Sequence, residues 1–164
     1  MNLYLKKLSK DDSKDVFEML KTIEANENEF KNPVKNMNYK EFKEWLIEQE
    51  NWSNEINLPK NYVGQTIFWL YDIDKPVGIG KIRHRLTDYS RQNGGNIGYA
   101  ISANERGKGY GKAIIKLLIE ECESMGIEER LLTVEKYNPI SKHVIEKSGG
   151  IIVKETTDRW YLKI

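Results

Sequence analysis

The sequence predicts an α/β domain: a mixed, mostly antiparallel, twisted sheet of about six to seven strands flanked by about four helices. Three observations carry this expectation. Short runs rich in Val, Ile, Leu and aromatics recur along the chain, longer stretches repeat apolar residues every three or four positions, and clusters of Gly, Pro, Asn and Asp separate them. A length of 164 residues suits one core that needs no covalent staples, so residues 1–164 are read as a single domain.

The elements follow in order. Asn2 to Lys7 alternates Leu3 and Leu5 with polar neighbours, as a short strand does. Ser9 to Asp12 has capping-box spacing with Asp in place of Glu or Gln, and Val16, Leu20 and Ile23 then share a face, so a helix is expected over 10–25. Ala25 to Asn38, rich in Asn, Glu and Lys, reads as a loop. A second helix starts at Asn38 to Glu41 and carries Phe42, Trp45, Leu46 and Gln49 at helical spacing to about Asn51. Val63 to Ile73 is strand-like, Asp74-Lys75 turns the chain, and Val77, Ile79 and Ile82 mark the returning strand. The polar stretch Leu86 to Gly95 is a loop and Asn96 to Ser102 another strand.

Ala103 to Gly111 is Gly-rich, and Ile114, Leu118, Cys122 and Met125 line one side of a helix that stops at Gly126. Arg130 to Glu135 is a short apolar strand. Asn138-Pro139 opens a helix, with Asn as cap and Pro in the first turn, and Ser148-Gly149-Gly150 closes it. The strands Ile151 to Thr156 and Arg159 to Ile164 complete the sheet.

Composition narrows function. With 26 basic against 25 acidic residues the net charge is +1, which gives no global field for nonspecific nucleic-acid binding or attachment to an acidic membrane. The single Cys122 excludes an intramolecular disulfide framework and zinc-finger spacing, so no metal is expected. The absence of a signal-peptide pattern and of a membrane-length apolar run makes a cytoplasmic location the expectation.

Any anion site must therefore come from local clustering. Glu105 to Lys112 lies between a strand and a long helix, where backbone N–H groups converge on the positive helix end and glycines let a phosphate approach the main chain. Arg106, Lys108, Lys112 and Lys116 against Glu105 leave a local excess of +3. Two familiar phosphate loops do not fit. Counted from Gly107, a P-loop would need Gly at Lys112 and a hydroxyl at Ala113, and the dinucleotide fingerprint G-x-G-x-x-G is here G-x-G-x-G, after the fourth strand instead of the first.

The pattern Arg/Gln-x-x-Gly-x-Gly/Ala does fit, as Arg106-Gly107-Lys108-Gly109-Tyr110-Gly111. Together with the strands Asn96 to Ser102 and Leu131 to Val134, and with Asn138-Pro139-Ile140-Ser141 through Gly149-Gly150, it resembles the GNAT superfamily of acetyl-CoA-dependent N-acetyltransferases. The order of elements over the whole chain agrees.

The resemblance implies that the central strands Asn96 to Ser102 and Leu131 to Glu135 splay, that acetyl-CoA is the co-substrate, and that an amine attacks the thioester directly. It implies that Ala100, Ile101 and Ser102 meet the pantetheine and carry the oxyanion N–H. Arg106, Gly107, Lys108, Gly109, Tyr110, Gly111 and Lys112 would meet the pyrophosphate, and Asn138 and Ser141 the cofactor from the second motif. Asn138 suits a plain helix cap equally well.

The family's usual general acid is a Tyr seven residues after the motif Asn, where this chain has Ile145. Tyr137, water, or unassisted departure of the thiolate would take its place. His84, between Arg83 and Arg85, is the residue type best suited to a base, and Glu135, acting through water, is the second candidate. An ordinary surface His or Glu looks the same in sequence, and His143 beside Lys142 reads as solvent-facing.

By the same resemblance, Ala25 to Asn38 and Leu86 to Gly95 would grip the acceptor. Glu24, Glu27, Glu29 and Asp88 favour a cationic amine, whereas Arg83, Arg85 and Arg91 favour an anionic group on it. Tyr39, Trp45, Trp52 and Trp69 are expected mainly in the core, and Cys122 as an inert buried thiol. The expected activity is N-acetylation of a primary amine of a small molecule, amino acid or peptide, with a catalytically silent acyl-CoA-binding or regulatory module as the alternative. Nucleic acid and membrane are not expected partners, and a homodimer through the terminal strands is compatible with the pattern.

Overall fold

Alternation along the strands sorts apolar side chains onto two faces of the sheet, and each face builds its own core. A computed structural model describes Met1 to Ile164. The strands are β1 (Leu3–Lys7), β2 (Asn26–Glu27), β3 (Phe30–Lys31), β4 (Gln65–Asp72), β5 (Lys75–Arg83), β6 (Ile97–Ile101), β7 (Leu131–Glu135), β8 (Ile151–Glu155) and β9 (Arg159–Lys163). The helices are α1 (Lys14–Lys21), α2 (Tyr39–Ser53), α3 (Asp88–Gln92), α4 (Tyr110–Ser124) and α5 (Pro139–Lys147). The strands form a four-stranded sheet ordered β1-β4-β5-β6, a three-stranded sheet ordered β7-β9-β8, and the small hairpin β2-β3, with antiparallel ladders throughout.

Ile67, Trp69 and Tyr71 of β4 pack with Val16, Leu20, Phe42 and Leu46 under α1 and α2. Phe68 and Leu70 point the other way, to Ile114 and Leu118 of α4 and to Leu132, Val134 and Leu162 of the second sheet. The second core thus spans both sheets and holds them together.

The two sheets touch at one end only. The Asn96 N–H donates to the Leu131 carbonyl at 3.0 Å. The buried Asn96 side chain accepts from the Leu131 N–H and donates to the Glu129 carbonyl, both at 2.7 Å. Gly95 forms an isolated bridge with Leu132, and no ladder joins β6 to β7 beyond it. Gly95 has φ +65°, and a Cβ there would sit 2.0 Å from the Leu131 carbonyl oxygen, so this junction admits only glycine. Past it the strands part, as the resemblance implied.

Local differences from the sequence expectation have physical reasons. The first helix is shorter than 10–25 because Asp12, 1% exposed, does not serve a capping box. Its carboxylate accepts from Trp69 Nε1 at 2.6 Å, Lys6 Nζ at 2.7 Å and the Ser9 N–H at 2.8 Å, which ties it to the sheet, and the helix begins after Ser13. The stretch read as a loop before α2 contains the hairpin β2-β3, whose two-residue strands are too short to leave a period. Thr87 and Ser90 cap a one-turn helix inside the second expected loop. The capping box of α2 forms as expected, with the Glu41 N–H on Asn38 Oδ1 at 2.9 Å and the Asn38 N–H on Glu41 Oε2 at 2.7 Å.

Trp45, Trp69 and Cys122 are buried, and burial pushes the Cys122 thiol up to about 11. Tyr39 lies at the surface and Trp52 is half-buried, so those two aromatics leave the expected core set. β8 is an exposed edge strand whose register shifts between Ile152 and Lys154, a bulge of the kind that discourages edge-to-edge pairing.

Asn96→Ala would strand a buried N–H and C=O at the junction, so a loss of about 2–4 kcal/mol is expected. Urea unfolding should show a lowered midpoint with an unchanged slope.

Candidate functional site

The Gly-rich loop turns into α4 through Gly107 at φ +76° and Gly109 at φ +86°, the latter being the helix N-cap. A Cβ at either glycine would meet nothing within 4 Å, so both face open space. The helix start has no side-chain cap, and the amides of Gly107 to Lys112 have no acceptor in the protein. Converging N–H groups at a positive helix end favour an anion.

Side-chain charge is distributed differently from the sequence expectation. Lys108 and Lys75 both pair with Glu105, whose carboxyl is held below its ordinary range by their hydrogen bonds. Arg106 makes a fork with Glu27, at 2.5 and 2.9 Å, and its Nε donates to the Ile101 carbonyl at 3.2 Å. Lys112 and Lys116 form no ion pair. With Lys147 and Ser148 they line a groove of about 520 Å³ that begins at Gly109.

The gap between β6 and β7 is set by the same alternation. The Arg83 N–H donates to the Asn96 carbonyl and the Ser102 N–H to the Val77 carbonyl, at 2.8 and 2.9 Å. The Asn96 carbonyl and the main-chain groups of Gly98, Ala100 and Ser102 therefore face β5, while Ile97, Tyr99 and Ile101 turn theirs to the gap. This corrects the expected set of main-chain contacts: Ala100 and Ser102 are committed to β5, Ile101 faces the opening, and Tyr99 joins it. Strand register, invisible in composition, made the difference. The Ser102 hydroxyl lies 2.8 Å from the Thr22 hydroxyl.

The Tyr99 side chain points to the α4–α5 side, where its hydroxyl lies 3.0 Å from Ser141 Oγ and burial holds the phenol above its ordinary pKa. Asn138 Oδ1 accepts from the Ser141 N–H at 3.3 Å, so the helix-cap role is present. Ile145 is 1% exposed in the core and offers no proton.

Across the gap a second cluster forms. Glu135 ends β7 and faces Arg159 of β9 in register. Arg159 pairs with Glu29 of the hairpin turn, lies 3.6 Å from Glu135, and donates to Thr133 Oγ1 at 3.3 Å. Burial first, and then the hydrogen bond with Glu135, push the Glu29 carboxyl up to about 7. The exposed Tyr137 stands beside the pair, its phenol raised by burial and then by Glu135 and Glu29.

The structure thus brings Glu135 and Tyr137 together and adds Glu29, Thr133 and Arg159, which sequence reasoning did not connect. It does not bring His84 to them. His84 Nε2 lies 2.7 Å from Thr66 Oγ1 and Nδ1 3.8 Å from Glu55, beside Gly64 where β5 ends. Its pKa is lowered, and the cause is burial first, with Arg85 a lesser contributor. Of the expected acceptor-grip residues, Glu24 pairs with Lys35, Arg85 with Glu55 and Arg91 with Glu129, while Arg83 donates to the Gly95 carbonyl. No helix is long and apolar enough to cross a membrane.

The site is thus a split α/β sheet with acceptor-free amides at one wall and paired carboxyl groups at the other. The chain belongs to the acetyltransferase (GNAT) family, whose model matches residues 20–150. Solved structures of similar fold include the Campylobacter jejuni N-acetyltransferase PseH in complex with acetyl coenzyme A. It shares 13% identity over 99% of this chain and 97% of that one, with a TM-score of 0.66. The ribosomal L7/L12 alpha-N-protein acetyltransferase RimL in complex with coenzyme A shares 10% over 100% and 94%, at 0.74. Mutant forms of the Vibrio cholerae spermidine/spermine N-acetyltransferase SpeG share 14% over 99% and 94%, at 0.65. No curated protein sequence matches the chain.

A carboxyl raised from 4.5 to about 7 binds a proton in the folded chain that the unfolded chain has released, so its contribution to stability is lost as pH rises through that window. Glu29→Gln removes this dependence. The melting temperature of the variant relative to wild type should climb between pH 5 and pH 8, and a constant difference would contradict the coupling.

Proposed function

We propose that this chain is an acetyl-CoA-dependent N-acetyltransferase that acts on a primary amine of a small molecule, amino acid or peptide. The observation that carries the reading is the run of acceptor-free amides from Gly107 to Lys112 at the mouth of the split between β6 and β7. Its glycines lack the Cβ atoms that would fill the cradle, so the residues fit a diphosphate. Lys112, Lys116 and Lys147 line the groove that continues from it, beside Glu120 and Glu123, and are the cations there that would meet a further phosphate.

Bound acetyl-CoA supplies an acetyl group activated as a thioester. The amides of Gly107 to Lys112 anchor the diphosphate, and the gap-facing N–H groups of Tyr99 and Ile101 stabilise negative charge on a carbonyl oxygen held against β6. Glu135 and Glu29 accept the proton of an incoming ammonium, with Arg159 fixing both carboxyls. Tyr137, beside them, would hold the proton that a departing thiolate takes. The acidic wall suits a cationic acceptor, which agrees in class with the polyamine named for one neighbour. His84 lies outside this constellation, so its part in the chemistry is an expectation that the geometry does not support.

A silent acyl-CoA-binding module on the same fold is the second reading, favoured by the buried Ile145 where a phenol would be usual. Calorimetry with coenzyme A, followed by thiol-release assays over an amine panel, tests both: tight binding without turnover supports the module, and no binding removes both readings. Gly109→Val should weaken coenzyme A binding by about 30-fold or more. It should cost only about 1–2 kcal/mol of stability, because the position needs a positive φ but crowds nothing.

A further inference from the structure

One face of the opened sheet carries an amine that the reading above does not use. Leu132 and Val134 enter the core under α4, so Thr133 and Glu135 turn to the hairpin side. Ile79 packs in the α1–α2 core, so Lys81, two residues further along β5, shares that side. In register Lys81 is directly opposite Gly98, and Ile79 is opposite Ala100. The Lys81 and Ala100 positions are therefore diagonal neighbours about 7–8 Å apart, within reach of a long side chain. Tyr99, whose main chain faces the gap, lies between Gly98 and Ala100.

The amine is roofed by the hairpin. Lys81 Nζ donates to the Lys31 carbonyl at 2.8 Å and sits 4.3 Å from the centroid of the Phe30 ring. That ring lies over Gly98, where an added Cβ would come within 3.9 Å of it. β4 presents Ile67 opposite Lys81, β6 presents Gly98, and the hairpin presents Phe30 and a main-chain oxygen. No carboxylate forms an ion pair with Lys81, and the charge that acts on it is that of Arg83. Burial, and then Arg83, push its pKa down to about 7. About half of the Lys81 amine is then neutral and nucleophilic at pH 7, against roughly one in a few thousand for an ordinary lysine.

We propose that Lys81 is an acetylation site of the protein's own transfer reaction. When acetyl-CoA is bound and no acceptor is present, the Lys81 amine takes the acetyl group on the face where the acceptor would sit. This rests on the proposed acetyltransferase function. The nitrogen lone pair forms a bond to the acetyl carbonyl carbon, the carbon–sulfur bond breaks, and the proton lost by nitrogen ends on sulfur. The products are Nε-acetyl-lysine and free coenzyme A, with no further reactant. Acetylation removes the charge and adds bulk beside the Phe30 ring, so the modified protein has a smaller and less cationic acceptor surface.

The experiment is incubation of the purified chain with acetyl-CoA and no amine, followed by peptide mass mapping at several pH values and protein concentrations. Lys81 should be modified at least about tenfold faster than Lys112 or Lys116, as expected for an amine held beside the donor. The rate constant should be independent of protein dilution, suppressed by excess coenzyme A, and half-maximal near pH 7, whereas surface lysines keep gaining rate toward pH 10. Modification of Lys81 no faster than of surface lysines, or a rate that scales with protein concentration, overturns the proposal. Lys81→Arg should abolish the modification without changing coenzyme A affinity. Calorimetry on the wild type separates the two levels: coenzyme A bound but Lys81 unmodified sinks this inference alone, and absence of binding sinks the transferase reading with it.

Discussion

The Asn96 side chain makes two hydrogen bonds that hold β6 and β7 together at one end, and the absence of any ladder beyond them leaves both inner strand edges open. A buried strand edge with unpaired main-chain groups is costly unless something pairs with it. The second core instead holds the two sheets together across the split: Ile97 and Ile101 on one side and Leu132 and Val134 on the other share the same apolar packing under α4. Cohesion therefore comes from side chains behind the sheet, while the main chain in front stays free for a ligand.

The hairpin β2-β3 closes the front of the same split. Glu27 pairs with Arg106 at the Gly-rich-loop wall and Glu29 with Arg159 at the opposite wall, so one short ribbon is fastened on both sides of the opening. The Arg106 pair is largely exposed and contributes little to stability, whereas Arg159 is mostly buried and has Thr133 and two carboxyls around it. The far wall is the firm attachment and the near one the yielding one. That asymmetry places the titratable pair on the fixed side.

What the sequence made legible was whatever repeats or counts. The long helices α2 and α4, the β4–β5 hairpin and the Gly107–Gly109 turn all announce themselves through period, capping residues or glycine spacing. Asn96 was placed in the right strand, yet nothing local shows that its amide bridges to Leu131 and Glu129, because the partners lie more than thirty residues away. The meeting of Glu29, Glu135 and Arg159 was hidden for the same reason, and because a two-residue strand carries no period. The shift from Ala100 and Ser102 to Tyr99 and Ile101 shows a third limit: alternation reveals that two sets of main-chain groups exist, but only the partner strand decides which set is free.

Glu105 gives the Gly-rich loop a property of its own. Nearly buried, it grips Lys108 within the loop and Lys75 at the β4–β5 turn, so a segment full of glycine is bolted to the stiffest part of the antiparallel sheet. Its donors are already aimed before any anion arrives. An anion bound there would sacrifice little chain freedom, because the loop is held in place beforehand.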